Sequence, residues 1–166
     1  RISAADALNR GWCLMELNRP MEAATAFGMA ESRSHGNKTA QDAAYGRSLA
    51  YLRLGATQNA AVAATTARQT PERQANLSAQ ILSQRAVAAY NADRCSEVFI
   101  ALDERARLVP ENRDLMLLRG WCYYKAGDVS AATKIFQALD MSMSTAESRS
   151  GTAEAFDIMN RKRMKY

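Results

Sequence analysis

Cysteine and histidine side chains build most protein zinc sites and many nucleophilic centres, so they are the first candidates for chemistry. The chain holds Cys13, Cys95 and Cys122 but only one histidine, His35. No two cysteines have the C-x-x-C spacing, and a single histidine cannot complete a Cys/His zinc set. We therefore expect no metal site and no cofactor. We interpret the cysteines as small apolar core residues rather than a disulfide framework, which favours a reducing compartment, although buried thiols also persist in a periplasm.

Candidate catalytic groups are equally sparse. A Ser–His–Asp or Cys–His arrangement would need His35, which lies in turn-forming sequence and is predicted to be a solvated loop residue. The adjacent carboxylates of Asp103 and Glu104 point about 100° apart on a helix and neighbour two arginines, so we expect them to form surface ion pairs. Phosphate-binding, dinucleotide-binding, nucleophile-elbow and zinc-protease motifs are absent from the sequence. The sequence predicts no catalytic residues and a protein that is not an enzyme.

The composition of the chain favours closely packed helices. Of 166 residues, 32 are alanine, the best helix former and the smallest side chain that still packs. The formal net charge is +5, and the basic residues are scattered except for the predicted basic tail 161–166, so we expect no specific nucleic acid partner. No apolar run approaches the roughly 18 residues of a membrane span, so we expect no membrane insertion. The first residue, Arg1, suggests a fragment or a processed chain.

An internal repeat organises the chain. Arg10-Gly11-Trp12-Cys13 returns as Arg119-Gly120-Trp121-Cys122, 109 residues later. Small residues at Gly11, Ser48, Ala86 and Gly120 mark four equivalent positions, separated by steps of 37, 38 and 34 residues. The two longer steps contain turn-rich insertions, at 35–38 and 69–72, which we expect to be loops. A repeat of this period is the signature of a stacked helical array.

Hydrophobic spacing within each unit predicts two amphipathic helices joined by a short turn. In the last unit, Leu117, Gly120, Trp121 and Tyr124 follow the i, i+3, i+4, i+7 pattern of one helix face. No segment alternates with a period of two for long enough to predict a strand. We predict eight helices in four pairs, followed by a C-terminal helix at 146–160.

These units resemble the tetratricopeptide repeat (TPR) family, a degenerate helix–turn–helix repeat of about 34 residues. The last unit carries the pattern of that family most fully, at Gly120, Tyr123, Gly127, Ala132 and Phe136. The family's tryptophan near the start of the first helix is missing, with Ala7, Ala44, Leu82 and Met116 in its place. The resemblance implies an all-α, right-handed TPR-type α-solenoid forming a single domain over 1–166, with repeats at about 3–37, 40–74, 78–111 and 112–145. It also implies that Phe27, Leu102 and Phe136 fill the space between neighbouring units.

The resemblance implies in addition a concave groove lined by the first helix of each pair. The positions that would face this groove hold large apolar and aromatic side chains with a few cationic groups at the rim, where the best-known TPR subset uses Lys and Asn to bind a peptide carboxylate. We predict these partner-binding residues: Leu8, Trp12, Met15, Tyr45, Leu49, Leu52, Arg53, Tyr90, Leu117, Trp121, Tyr124 and Lys125. Alternatively, Trp12 and Trp121 are packing residues, or the C-terminal helix itself fills the groove.

Three functions are compatible with such a groove. The first is a scaffold that binds a protein or peptide partner. The second is a periplasmic segment of a bacterial exopolysaccharide export or envelope assembly protein, in which the aromatic residues could also contact polysaccharide. The third, an RNA-binding helical repeat, is disfavoured because Trp12 and Leu49 replace the polar residues that would read bases. The compartment stays open between the bacterial cell envelope and the cytoplasm. Incompletely capped ends predict self-association.

Overall fold

Helices account for nearly all of the regular structure in the part of the chain that is described. We describe a computed structural model, which defines residues 1–142, 149–155 and 158. Its helices are α1 (Ala4–Glu16), α2 (Pro20–Arg33), α3 (Asn37–Arg53), α4 (Thr57–Ala64), α5 (Pro71–Asn91), α6 (Cys95–Ala106), α7 (Arg113–Lys125) and α8 (Val129–Ser142). The prediction of an all-α fold is confirmed. Residues 149–155 and 158 are also helical and fall within the predicted C-terminal helix, while the basic tail 161–166 lies outside the described residues.

The chain divides into two compact units, Arg1–Gln84 and Arg85–Tyr166, called unit 1 and unit 2 below. The single domain predicted over 1–166 stays a prediction, and the boundary between the two compact units falls within the long helix α5. In unit 1, α1 packs against α2, α2 against α3, and α3 against α4. In unit 2, α6 packs against α7 and α7 against α8. The order of contacts follows the order of the chain, as in a repeat array.

The two turn-rich insertions are only partly loops, which corrects the prediction. Asn37 opens α3 after Gly36 at the N-cap, and Pro71 opens α5, so half of each insertion forms the first turn of a helix. Proline fits the first helical turn because its fixed φ is already helical and its missing N–H would have no partner there. Loop-forming residue types thus marked helix starts in this chain.

All four turns within the helix pairs share one backbone geometry. Asn18, Gly55, Asp93 and Gly127 each have positive φ, between 55° and 86°. In each turn the next residue donates its N–H to a carbonyl five positions earlier, as Arg19 does to Leu14 at 2.9 Å and Asp128 to Tyr123 at 2.9 Å. This Schellman pattern satisfies the last carbonyls of the first helix and ends it sharply. The four residues are spaced by 37, 38 and 34, so the predicted repeat register is present in the backbone.

Two phenylalanines occupy spaces that only glycine leaves open. Phe27 is fully buried, and a Cβ added at Gly11 of α1 or at Gly46 of α3 would lie 2.5 Å from its ring. Phe136 has the same place in unit 2, where a Cβ at Gly120 or at Gly151 would lie 2.9 Å or 2.8 Å from its ring. The predicted filling role of both rings is confirmed. Each phenylalanine therefore fixes how closely its own first helix and the next one approach.

The cysteines depart from the prediction. Cys95 at the start of α6 and Cys122 in α7 form a disulfide with their Cα atoms 5.4 Å apart, and Cys13 is free and exposed. The interpretation of all three as apolar core residues is therefore wrong. Sequence spacing could not identify the pair, because the two cysteines are 27 positions apart and come close only when α7 packs on α6.

Substituting Gly46 tests the role of Phe27. We expect Gly46→Ala to lower the free energy of unfolding by about 2 kcal/mol, because the added methyl group would force Phe27 out of its packed position. Gly28→Ala is the matched control, since Gly28 is helical and its Cβ would meet only the flexible end of Arg47, at 3.8 Å. We expect this control to stabilise the chain by about 0.5–1 kcal/mol. Urea unfolding followed by circular dichroism measures both, and equal effects would contradict this packing account.

Reduction of the disulfide should destabilise unit 2. The crosslink closes a loop of 27 residues, so Cys95→Ser/Cys122→Ser is expected to lower the free energy of unfolding by about 3 kcal/mol, chiefly by freeing the unfolded chain. In the native chain, adding a thiol reductant should lower the free energy of urea unfolding by the same amount as the double substitution does. Cys13→Ser is the control and should keep the response to reductant, whereas identical curves in both redox conditions would disprove the crosslink.

Candidate binding surface

The first helices of unit 1 form an open cleft of about 390 Å³, called the unit 1 cleft. Residues from α1, α3 and α5 line it: Trp12, Met15, Glu16, Leu49, Leu52, Arg53 and Gln80. Five of the predicted partner-binding residues therefore meet in one place. The cleft volume is within the range of about 300–1,000 Å³ that is usual for ligand sites.

The floor of the unit 1 cleft is apolar and continuous with the core. Met15 is 5% and Leu52 is 6% exposed, so both contribute to packing as well as to the cleft. Trp12 is half-buried and stands edge-on to the ring of Phe27, at 4.9 Å between centroids. Leu49 is half-buried between the two core clusters of unit 1. Because the core of unit 1 packs against these side chains, the cleft surface is formed in advance of any binding.

The rim of the cleft is polar. Arg53 donates a hydrogen bond from its guanidinium to the carbonyl of Met15, which links α3 to α1. Glu16, which follows Met15 in the chain, is exposed and also lines the cleft. Gln80 also lines the cleft and donates from its side-chain amide to the side-chain oxygen of Asn76 at 3.0 Å, a bond that does not use its own side-chain oxygen. The rim thus presents a cation, an anion and an amide around an apolar floor.

A polar cluster continues from this rim along α3 and α5. Asn76 donates to the hydroxyl of Tyr45 at 2.7 Å, and the guanidinium of Arg73 lies 4.6 Å from the centre of the Tyr45 ring. Arg73 also forms an ion pair with Asp42, to which Lys38 adds a second, at 3.3 Å. Burial raises the pKa of Asp42, but its hydrogen bonds with Arg73 and Lys38 outweigh burial and hold that pKa below its ordinary value.

In unit 2 the predicted residues form two contact groups. Lys125 donates to Asp93 at 2.8 Å and lies 4.5 Å from the centre of the Tyr90 ring. This hydrogen bond holds the pKa of Asp93 below its ordinary value and raises that of Lys125. Trp121 contacts Tyr124 at 5.7 Å and Phe136 at 4.9 Å between ring centroids, so it repeats the contact that Trp12 makes with Phe27.

The remaining predicted residues divide between surface and core. Leu8 is half-buried against the core of unit 1, and Tyr45 belongs to the polar cluster rather than to the cleft lining. Leu117 is 8% exposed and packs in the core of unit 2. The sequence reasoning missed Gln80. A signal for Gln80 was present in the sequence. Asn76 and Gln80 are amides spaced i, i+4, and each directly precedes a core residue of the same helix, Leu77 and Ile81.

The side chains first considered for chemistry do not assemble into a catalytic site in the described residues. His35 is exposed in the loop between α2 and α3, as predicted. Asp103 and Glu104 are exposed, as predicted, but Asp103 forms its ion pair with Arg119 of α7, at 2.9 Å, rather than with an arginine beside it in the sequence. Across residues 1–142, 149–155 and 158, no group of three or more acidic, histidine or cysteine side chains is placed to hold a metal ion. No helix in that same part of the chain is long and apolar enough to span a membrane.

Comparison with known proteins matches most of the chain to one family. The model of the tetratricopeptide repeat family matches residues 8–73 and 83–145. No curated protein and no solved structure matches the chain. The matched stretches include all eight helices in whole or in part.

The ion pairs of Asp42 give the chain a pH dependence with a definite sign. Because its folded pKa is below the ordinary value of 3.8, ionised Asp42 stabilises the fold above that pH, and this contribution is lost as the pH falls through the lowered pKa. We expect the acid-induced fall in the unfolding free energy to be smaller in Asp42→Asn than in the native chain. Urea unfolding from pH 6 to pH 2.5 measures the slope.

Glu72→Gln is the control for Asp42→Asn, because it removes one exposed negative charge from the first turn of α5. We expect this control to keep more of the native pH dependence than Asp42→Asn does. If the two variants lost it equally, the effect would come from net charge rather than from the Arg73–Asp42 pair.

Proposed function

The chain belongs to the tetratricopeptide repeat family, and from that premise we propose that it is a non-enzymatic scaffold that binds a segment of a partner protein in the unit 1 cleft. Repeats of this family mediate protein–protein interaction. The observation that carries the proposal is the cleft itself, in which Trp12 and Leu49 are held by the core while part of each side chain stays accessible.

The cleft has the anatomy of a protein interface. Interfaces gain most of their binding energy from a few aromatic and aliphatic anchors at the centre, surrounded by polar groups that exclude water. Here the anchors are Trp12, Leu49 and the buried Met15 and Leu52 beneath them. Because the floor is preformed, a partner would lose little free energy in ordering it.

The rim indicates the chemistry of the bound segment. One or two large apolar side chains would enter the cleft, and the side-chain oxygen of Gln80 would accept a hydrogen bond from a backbone N–H of the segment. Arg53 and Glu16 both line the cleft, so they favour a segment that carries charged groups beside its apolar side chains. In unit 2 we propose a second contact surface around Tyr90, Trp121, Tyr124 and Lys125, argued from the half-buried rings and the charge of Lys125.

One observation favours a second candidate function. The Cys95–Cys122 disulfide is typical of proteins in oxidising compartments, such as the periplasm or the cell exterior. In that setting the array would organise components of a bacterial envelope or polysaccharide export assembly. The rings of Trp12 and Trp121 would then stack on sugar rings, which uses the same surfaces as the first proposal.

Blocking the cleft tests the proposal without removing core side chains. We would select binders from a displayed library of random 16-residue peptides on the immobilised chain, and measure their affinities by fluorescence anisotropy. Gln80→Trp places a large side chain in the cleft, and we expect it to weaken the selected peptides at least tenfold. Val62→Trp is the matched control, because Val62 is 56% exposed on α4 and lies outside the cleft lining.

Two outcomes would decide against this function. Peptides that bind Gln80→Trp as tightly as the native chain would show that the cleft is not their site. If no peptide is selected and oligosaccharides bind the native chain but not Gln80→Trp, the second candidate replaces the first.

A further inference from the structure

An arginine directly precedes the small residue of the first helix in all four repeats: Arg10, Arg47, Arg85 and Arg119. In unit 1, Arg47 of α3 forms an ion pair with Glu31 of α2, at 3.0 Å. In unit 2, Arg119 of α7 forms one with Asp103 of α6, at 2.9 Å. In both cases the carboxylate belongs to the second helix of the preceding pair. Arg119 also forms an ion pair with Glu111, just before α7, at 2.9 Å. In these two repeats the arginine therefore links the first helix to the second helix of the preceding pair.

The disulfide of unit 2 acts between the same two helices. Cys122 lies three residues after Arg119, and it is bonded to Cys95, eight residues before Asp103 on α6. Two side chains of the sequence Arg119-Gly120-Trp121-Cys122 therefore hold α6, one by charge and one by a covalent bond.

The same four residue types stand in α1, where Phe27 of α2 packs on Gly11 and Trp12 while Arg10 and Cys13 stay exposed. Arg10 and Cys13 occupy the places of Arg119 and Cys122, 109 residues earlier. Cys13 is free and exposed, and Arg10 is exposed and forms no ion pair with any described residue. The face of α1 that would hold a preceding helix is therefore uncovered in residues 1–142.

A groove of about 210 Å³ lies beside Arg10 on this face, called the end groove. Its lining includes Ala7, Leu14, Ala26 and Met29, and it shares no residue with the unit 1 cleft. Glu22 also borders it but is engaged by Arg19, at 2.6 Å.

In the second repeat, the residues that correspond to the lining of the end groove are covered by a preceding helix. The counterparts of Ala7, Leu14 and Ala26, 37 residues later, are Ala44, Tyr51 and Ala63. Ala44 and Ala63 are at most 1% exposed, and Tyr51 packs against the core that α1 and α2 share. In that repeat, α2 packs on the first helix and supplies Glu31 to Arg47.

We propose that the end groove and Arg10 bind an amphipathic partner helix that carries a cysteine in its first turn and a carboxylate eight residues later, and that Cys13 forms a disulfide with that cysteine. The carboxylate pairs with Arg10, and small apolar side chains of the partner enter the groove. Formation of the disulfide removes two protons and two electrons from the two thiols. A disulfide oxidant, such as oxidised glutathione, accepts them and becomes two molecules of reduced glutathione.

The chain provides a probe for this site. A peptide of residues 94–108 contains α6 with Cys95 and Asp103 in the required spacing, and the substitution Ile100→Lys allows a side-chain lactam to Glu104 that keeps it helical. Ile100 is 61% exposed and Glu104 is exposed, so the link leaves the packing face free. The native chain and the peptide are equilibrated in a glutathione redox buffer, and mixed disulfides are quantified by intact mass spectrometry and peptide mapping.

We expect the peptide to be linked to Cys13 at least tenfold more than a lactam-bridged peptide of the same composition in scrambled order with cysteine kept at the same position. Changing Asp103→Asn in the peptide, or Arg10→Gln in the chain, should each lower the yield about fivefold. Combining both changes should add little, because they remove the same ion pair. Asn9→Ala, an exposed neighbour on α1, is the control and should leave the yield unchanged.

Three results would overturn the proposal. Equal yields from the matched and scrambled peptides would show that Cys13 is only an accessible thiol. Additive losses from Asp103→Asn and Arg10→Gln would show that these groups do not meet. A preference for Cys13–Cys13 dimers over the peptide adduct would show that the end groove is a contact between copies of the chain. These readouts are independent of Gln80→Trp, so the proposal stands or fails separately from the unit 1 cleft.

Discussion

The contact between a phenylalanine ring and two backbones without a Cβ sets the spacing of helices in both units. Phe27 reaches the backbones of α1 and α3 because Gly11 and Gly46 leave room for its ring. Once these helices are at that distance, Trp12 can rest on the ring and the unit 1 cleft has its floor. Phe136, Gly120 and Trp121 repeat the arrangement. The proposed binding surface is thus a consequence of core packing rather than an addition to it.

The sequence periodicity predicts the helix pairs and their turns, because residues within each repeat determine them. The register of Gly11, Ser48, Ala86 and Gly120 predicted the helix pairs, and the turns at Asn18 and Asp93 follow the same steps although neither is glycine. Asparagine and aspartate tolerate positive φ better than most residues, which is why these two turns keep the geometry. Local residue types were thus sufficient for the helices and their turns.

Contacts between distant parts of the chain were harder to predict. The Cys95–Cys122 bond and the Arg47–Glu31 ion pair depend on which helix packs on which, and a single sequence gives no direct signal for either. The candidate site shows the same limit. Trp12, Leu49 and Arg53 were among the predicted residues and line the unit 1 cleft, but from α5 the sequence reasoning named Tyr90, whereas Gln80 is the residue that lines the cleft.

Helix α5 has a consequence for how this chain could be cut or recombined. Unit 1 ends at Gln84 and unit 2 begins at Arg85, yet Pro71–Asn91 is one uninterrupted helix. Proteases cleave exposed flexible segments, and such a segment is missing at this boundary. A gene break at the same point would divide a helix and leave each half with new, uncapped ends. A cut between the two units would therefore have to pass through a helix, although each unit has its own core.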